Sequence, residues 1–271
     1  MIKKRLVFTL LYSENSFFQS RNFNLQNVGD TNWLKKNYNF KNISYYVDEL
    51  IILDVSRSKR NKKHFIEAVQ EISKDCFIPI TVGGGINNLS DARYFLTNGS
   101  DKILLNTSVL DNPNVIEDIA SIYGEQSIII GADLKKIDGN YYLFTNNGQK
   151  KQELDPSKYL ESLSQINFGE LYLNSINRDG TGNGLDFEML DLIPKNFNRS
   201  IILSGGTGNF MHIYEGLGKR KVDAISTANL LNFVGDGLIK TRLKLISKKI
   251  PFPDWDTNLI KQTENFFKQN K

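Results

Sequence analysis

Short runs rich in Ile, Leu, Val and Phe alternate along the chain with stretches whose apolar residues recur at three- and four-residue spacing. The runs fall at residues 5–11, 49–54, 77–82, 102–106, 127–133, 170–175, 200–204 and 223–226. Continuous apolar segments of this length, bounded by turn formers, suit strands buried on both faces, as in a parallel sheet. The stretches between them have helical periodicity. Phe65, Val69 and Ile72 follow the second run, and Ala92, Phe95 and Leu96 follow the third. Helix starts are legible at Asn88, at Asp111 before Asn112 and Pro113, and at Asp155 before Pro156, where proline occupies the first turn without losing a hydrogen bond. Eight strand–helix units within roughly 250 residues predict an α/β fold, a (β/α)8 TIM barrel. An open, doubly wound sheet is the competing architecture with the same alternation. The barrel is expected over residues 1–250. Residues 251–271, which begin with Pro251 and Pro253 and run on into a polar, weakly helical segment, read as a C-terminal extension.

The two halves of the chain echo each other. Thr81-Val-Gly-Gly-Gly85 followed by Asp101-Lys-Ile-Leu-Leu-Asn106 is repeated as Leu203-Ser-Gly-Gly-Thr207 followed by Asp223-Ala-Ile-Ser226, with Gly84 and Gly205 lying 121 positions apart. Ile51-Ile-Leu-Asp54 likewise lies 120 positions before Leu171-Tyr-Leu-Asn174. A near-constant offset across both pairs points to a barrel built from two similar half-barrels, against chance likeness of short glycine turns.

Composition acts mainly by exclusion. The 271 residues carry 34 Lys+Arg against 30 Asp+Glu, a formal charge of +4. So mild and scattered an excess gives no basis for a nucleic-acid groove. No apolar run approaches the roughly 20 residues needed to span a bilayer, so no membrane association is expected. The first residues, Met1-Ile-Lys-Lys-Arg5 and the apolar run after them, imitate a signal peptide, but no small-residue cleavage pattern follows and they read as a buried first strand. The single cysteine, Cys76, excludes an internal disulfide framework and a cysteine zinc site, and two distant histidines, His64 and His212, offer no metal cluster. No metal or other cofactor is therefore expected, and a reducing cytoplasm is the expected compartment.

In such a barrel, chemistry sits at the C-terminal ends of the strands, where glycines let backbone N–H groups approach an anion. Two places qualify: Gly83-Gly84-Gly85 with Asn106 and Thr107, and Gly205-Gly206 with Ala228 and Asn229. Their symmetry fits a small molecule phosphorylated at both ends, while plain turn geometry is the alternative for each. Acidic residues at strand ends are Asp54, Asp133 and Asp179. Each can act as a general acid or base if its surroundings tune it, or can merely cap a helix or orient a loop. Asp133 lies 122 residues after Leu11, so the position that the repeat pairs with it holds a leucine. At the other end, Arg5, Glu49, Lys102 and Glu170 begin four of the strands, two cations and two anions able to neutralise one another across the barrel floor or to form ordinary surface ion pairs.

These residues resemble those of a known family. Over about residues 3–248 the chain is similar to the cyclase subunit of imidazole glycerol phosphate synthase, the HisF family, through Lys4-Arg5, Asp48 to Asp54, Ile78 to Ile86, Asp101-Lys102 with Asn106-Thr107, Tyr123-Gly124, Phe144 to Gly148, Arg178 to Thr181 and Ser204 to Gly206. The resemblance implies a duplicated (β/α)8 barrel that takes ammonia from a glutaminase subunit docked on its lower face and uses it at the upper face on a bis-phosphorylated ribonucleotide. Arg5, Glu49, Lys102 and Glu170 would be the charged gate through which ammonia enters, and Asp101 a contact to the glutaminase. Gly85, Asn106 and Thr107 match one phosphate site. Asp179, Gly180, Gly206 and Ala228 match the other, and Asp133 corresponds to one of two catalytic aspartates.

The departures lie at the upper face. The family's first catalytic aspartate is Leu11 here, in Thr9-Leu10-Leu11-Tyr12, and a leucine transfers no proton. The lysine of the loop after the first strand is Gln19, a serine of the second phosphate site is Asn229, and the strand-six threonine is Asn174. Leu10-Leu11 is also found in HisF paralogues associated with glycosyl amidation. By that resemblance the barrel would partner a glutaminase and an ATP-dependent sugar amidotransferase, passing on ammonia that turns an acetamido sugar into an acetamidino sugar for surface glycans. The alternative is a genuine cyclase of histidine biosynthesis in which Asp133 and Asp179 suffice, and a non-catalytic binder of a phosphorylated ligand is a third reading. Whether the chain is itself an enzyme turns on Leu11.

Overall fold

The apolar runs form the staves of a closed barrel in a computed structural model that describes residues 3–38, 40, 44, 46–228 and 237–253. In chain order the strands are β1 (Arg5–Ser13), β2 (Ser16–Arg21), β3 (Asn24–Gly29), β4 (Glu49–Asp54), β5 (Ile80–Gly83), β6 (Lys102–Leu105), β7 (Ile128–Ile137), β8 (Asn140–Thr145), β9 (Lys150–Lys151), β10 (Glu170–Ser175), β11 (Ser200–Ser204) and β12 (Val222–Thr227). β1, β4, β5, β6, β7, β10, β11 and β12 pair in parallel in that order, and β12 returns to β1, so the eight close on themselves. The fold is therefore the (β/α)8 TIM barrel and not the open doubly wound sheet.

Around it lie α1 (Thr31–Asn37), α2 (Lys62–Ser73), α3 (Leu89–Thr97), α4 (Thr107–Asp111), α5 (Asn114–Tyr123), α6 (Pro156–Leu163), α7 (Phe210–Leu217) and α8 (Gly237–Ser247). Two of the three legible caps are in place; Asp111 instead closes α4, and α5 starts after Pro113 without a side-chain cap bond. Asn88 accepts from Asp91 N–H at 2.9 Å, and Asp155 accepts from Ser157 and Lys158 N–H at 2.9 and 3.1 Å. α2 buries Phe65, Ile66, Ala68, Val69 and Ile72 against the barrel. The outward strand faces join this main core, whereas Val7, Ile51, Leu104, Ile129, Tyr172, Ile202 and Ala224 form a separate cluster inside the barrel. A buried bidentate pair, Arg242 to Asp48 with both contacts at 2.9 Å, ties α8 to the lower end.

Three features depart from simple alternation. β1 and β7 each continue into antiparallel hairpins, β1–β2–β3 and β7–β8–β9, at the upper end. The β10–β11 connection has only a 3₁₀ turn, Phe187–Leu192, where an α-helix was expected, because Gly180, Gly182 and Gly184, all at positive φ, spend the preceding residues on a turning loop. β5 begins at Ile80 and not at residue 77, since Pro79 has no N–H to give the ladder, and Phe77 is left 81% exposed. The extension expected from residue 251 is described only to Pro253, with Lys4 N–H donating to Pro251 C=O at 2.8 Å, and its remainder lies outside the described residues.

Candidate functional site

At the lower end, the strand starts bring Arg5, Glu49, Lys102 and Glu170 into one ring. Arg5 bonds Glu49 through Nη1 and Glu170 through Nη2, with a further Nη1 to Oε1 contact to Glu170 at 3.2 Å. Lys102 Nζ lies 2.7 Å from Glu170 Oε1 and 3.4 Å from both Glu49 oxygens. Burial by itself would raise the Glu170 carboxyl, but Arg5 and Lys102 hold it below its ordinary value. Burial likewise opposes charge on Arg5, and the two glutamates outweigh it and raise its pKa. Beside this ring Asp101 accepts from Ile80 N–H at 2.8 Å and remains exposed.

At the upper end a cavity of about 350 Å³ opens, lined by Leu11, Asp54, Gly84, Gly85, Asn106, Thr107, Asp133, Asn174, Asp179 and Ala228. A smaller cleft of about 60 Å³ adjoins it, sharing Asp179, Ser204 and Ala228 and lined further by Gly180, Gly206 and Gln19. The structure therefore gathers both glycine loops around one continuous opening. Gly84 (φ +100) rests on Asp54 C=O and Gly205 (φ +94) on Ser175 C=O, so each half-barrel folds its glycine turn over the preceding strand in the same way. A Cβ at Gly84 would stand 2.1 Å from that carbonyl, which is why the repeat needs glycine. Asn229 lies outside the described residues.

The three carboxylates read as strand ends differ in place and environment: only Asp54 ends its strand, Asp133 lies within β7, and Asp179 lies in the loop after β10. Asp54 accepts Ser56 N–H at 2.9 Å and faces Arg60 at 3.9 Å, an orienting role for its loop. Asp179 accepts Phe23 N–H at 3.0 Å and so pins the β2–β3 hairpin, while burial raises its pKa. Asp133 accepts from Asn106 Nδ2 at 2.8 Å and Asn174 Nδ2 at 3.0 Å. Burial, aided by the Asp179 charge and opposed by the two amides, pushes its pKa up to about 6. A carboxyl held there can both take and give a proton near neutrality. Leu11, on the same cavity wall, supplies no second group of that kind. Gln19 sits on β2, paired with Gln26, and so belongs to an ordered hairpin.

Sequence reasoning missed three lining residues. Arg57 donates to Phe23 C=O at 2.8 Å, and Arg60 lies across Gly85, whose added Cβ would come within 2.7 Å of its Cδ. The basic run Arg57-Ser-Lys-Arg60 directly after a strand was the available signal. Tyr172 points into the barrel between Glu170 and Asn174, a position that strict alternation along β10 would have marked. Among the described residues no group of three or more His, Cys, Asp or Glu is arranged to hold a metal ion, and no helix is long and apolar enough to cross a membrane.

A charged ring at one end of a (β/α)8 barrel, and twin glycine loops with buried carboxyls around a cavity at the other, define the class: a TIM barrel with a polar cavity at its upper end. Residues 22–234 match the family described as histidine biosynthesis protein, and the chain belongs to that family, among its HisF members. It is 43% identical over 242 residues to a provisionally named imidazole glycerol phosphate synthase subunit hisF2 of Parasynechococcus marenigrum, covering 89% of this chain and 90% of that one. It is 34% identical over 233 residues to the imidazole glycerol phosphate synthase subunit HisF of Chlorobium phaeovibrioides, covering 86% and 92% respectively. With the subunit HisF of Chlorobium limicola the identity is 35% over 204 residues, 75% of this chain and 81% of that one.

Proposed function

We propose that the chain is the ammonia-receiving barrel subunit of a glutaminase-coupled synthase of the imidazole glycerol phosphate synthase type. The observation that carries this reading is the position of the neutralised ring of Arg5, Glu49, Lys102 and Glu170, at the opposite end of the barrel from the upper cavity with the apolar cluster of the lumen between them. A glutaminase docked on the lower face, touching Asp101, would release ammonia at this ring. Lys102, a flexible point charge held by two carboxylates, is the member able to swing aside while Arg5 keeps both glutamates paired. At the upper face, Gly85, Asn106 and Thr107 would bind one phosphate of the acceptor, and Gly180, Gly206, Ala228 and Asn229 the other. Asp133, with Asp179 beside it, would carry acid/base catalysis of cyclisation, a reading that the names of the relatives favour.

One observation favours a second reading. Leu11 lines the cavity where the resemblance implies a second catalytic carboxylate, which fits a barrel that hands its ammonia to an ATP-dependent sugar amidotransferase for surface-polysaccharide synthesis. The deciding experiment is turnover of the bis-phosphorylated aminoimidazole carboxamide ribonucleotide by the purified chain with saturating ammonium salt. Turnover comparable to an ordinary cyclase supports the first reading. A folded chain that activates a glutaminase yet shows no turnover supports the second, and failure of every glutaminase subunit tested to bind overturns both.

A further inference from the structure

The lumen between the ring and the cavity is apolar at its middle, with Val7, Ile51, Ile129, Ile202 and Ala224 packed together. Where it opens upward it turns polar. The Tyr172 hydroxyl lies 2.8 Å from Ser204 Oγ, and 3.4 Å from both Thr9 Oγ1 and Ser226 Oγ, while Thr9 and Ser226 are 2.7 Å apart. All four residues are buried, and Thr9, Tyr172 and Ser204 also line the cavity. Each hydroxyl has one proton to donate and two lone pairs. The four contacts therefore use the cluster's protons internally and leave lone pairs over. A guest suited to this place is rich in N–H donors, poor in acceptors, uncharged and small.

A second observation marks the same passage as a path for a polar guest. Thr81 stands level with Ile51 on one side and Lys102 on the other, so its side chain faces the lumen. Its hydroxyl is buried without a hydrogen-bond partner among the described residues.

We propose that the Tyr172 hydroxyl, set among Thr9, Ser204 and Ser226 where the lumen meets the cavity, is a binding station for one neutral ammonia molecule on its way to the acceptor beside Asp133. The station rests on the ammonia-receiving reading given above and names the residue that decides which form of nitrogen passes. Neutral ammonia offers three N–H groups to the surplus lone pairs. Ammonium would have to shed its hydration shell in the apolar lumen, where no carboxylate compensates it before Asp133. Burial raises the pKa of Tyr172, so the phenol keeps its proton at alkaline pH, where ammonia is abundant.

The test uses the full chain labelled with 13C at the tyrosine Cζ and titrated with ammonium chloride, against sodium chloride at equal ionic strength. The expected result is a saturable shift of one resonance, absent from the Tyr172→Phe spectrum, that grows with pH at constant total ammonium and so follows the free base. An unmoved Tyr172 resonance, the same shift in sodium chloride, or a shift that follows ammonium instead of ammonia would overturn the proposal. Tyr172→Phe keeps the ring that fills the lumen, so its fold is retained, and Ser226→Ala, which should weaken the apparent affinity severalfold while leaving the resonance visible, gives an independent check. No glutaminase or acceptor enters this titration. Loss of partner binding would therefore sink the ammonia-receiving reading while leaving the spectrum unchanged, and a silent spectrum would sink the station alone.

Discussion

Asp133 owes its raised pKa to burial, with the Asp179 charge acting in the same direction, while the Asn106 and Asn174 amides favour the carboxylate without prevailing. The unfolded chain releases this proton near pH 4, the folded chain near 6. The folded form is thus the tighter proton binder, so the contribution of Asp133 to stability is complete below about pH 4 and is lost as pH rises through about 6. Asp133→Asn cannot ionise and should remove that slope. Urea midpoints of the two proteins should diverge between these pH values, with the variant gaining on the wild type, and parallel curves would refute the assignment. If cyclisation is the activity, kcat/KM should also rise through the same pKa and fall on the order of 10²- to 10⁴-fold in the variant. Leu11 makes the reciprocal case. It is 9% exposed and borders the same cavity. Leu11→Asp should cost about 1–3 kcal/mol through burial of a polar group and, if the missing acid is all that limits cyclisation, should increase turnover. An unchanged rate in the folded variant would place the limit at Gln19 or Asn229.

At the level of elements, the glycine turns can be ranked by what surrounds them. Gly84 and Gly139 both adopt positive φ, at +100 and +82, but an added Cβ at Gly84 meets the Asp54 backbone at 2.1 Å, while at Gly139 it meets nothing within 4 Å. Gly139→Ala should therefore cost only the left-handed strain, about 1–2 kcal/mol. Gly84→Ala should cost more, because two backbone segments must separate, and should weaken ligand binding with it. Thermal melts that ranked the two equally would contradict the close packing of β4 against the β5 exit. The same contrast explains which elements were legible. The barrel strands bury both faces and so carry uninterrupted apolar runs; β4, β10 and β11 have the bounds read from the sequence. β2, β3 and β9 bury one face or none, with polar residues such as Gln19, Gln26 and Lys150 along them, and their pattern merges with that of loops. The glycine loops announced themselves through the 121-residue repeat, and Asp133 as a carboxylate at the end of an apolar run. Tyr172 did not, since it belongs to one half only and reads as one more apolar residue in a buried strand.

On the scale of the whole molecule, one end of the barrel is neutralised by charge pairing and the other gathers carboxyls around a cavity, so the two ends can be tested separately. Lys102→Glu replaces one of two ring cations with a third carboxylate, leaving Arg5 to face all three. Loss of one partner from a fully buried ion pair costs roughly 3–5 kcal/mol. Lys102 and Arg5 retain 20% and 17% of their side-chain exposure, so water reduces that penalty. A fall in melting temperature of roughly 4–8 °C with an unchanged circular dichroism spectrum is the expected outcome. The functional readout is the difference between nitrogen sources. If the ring is the entrance, product formation from glutamine with a bound glutaminase should fall at least tenfold, whereas formation from ammonium salt, which reaches the cavity from the open upper face, should stay within about twofold. Equal loss from both sources would make the ring a stability element whose disturbance reaches Asp133 through the barrel wall. No loss from either would separate it from nitrogen delivery altogether. Only a defect confined to glutamine, with glutamine hydrolysis by the bound glutaminase undiminished, requires that ammonia travel the length of the lumen from the ring of Arg5, Glu49, Lys102 and Glu170 to the cavity.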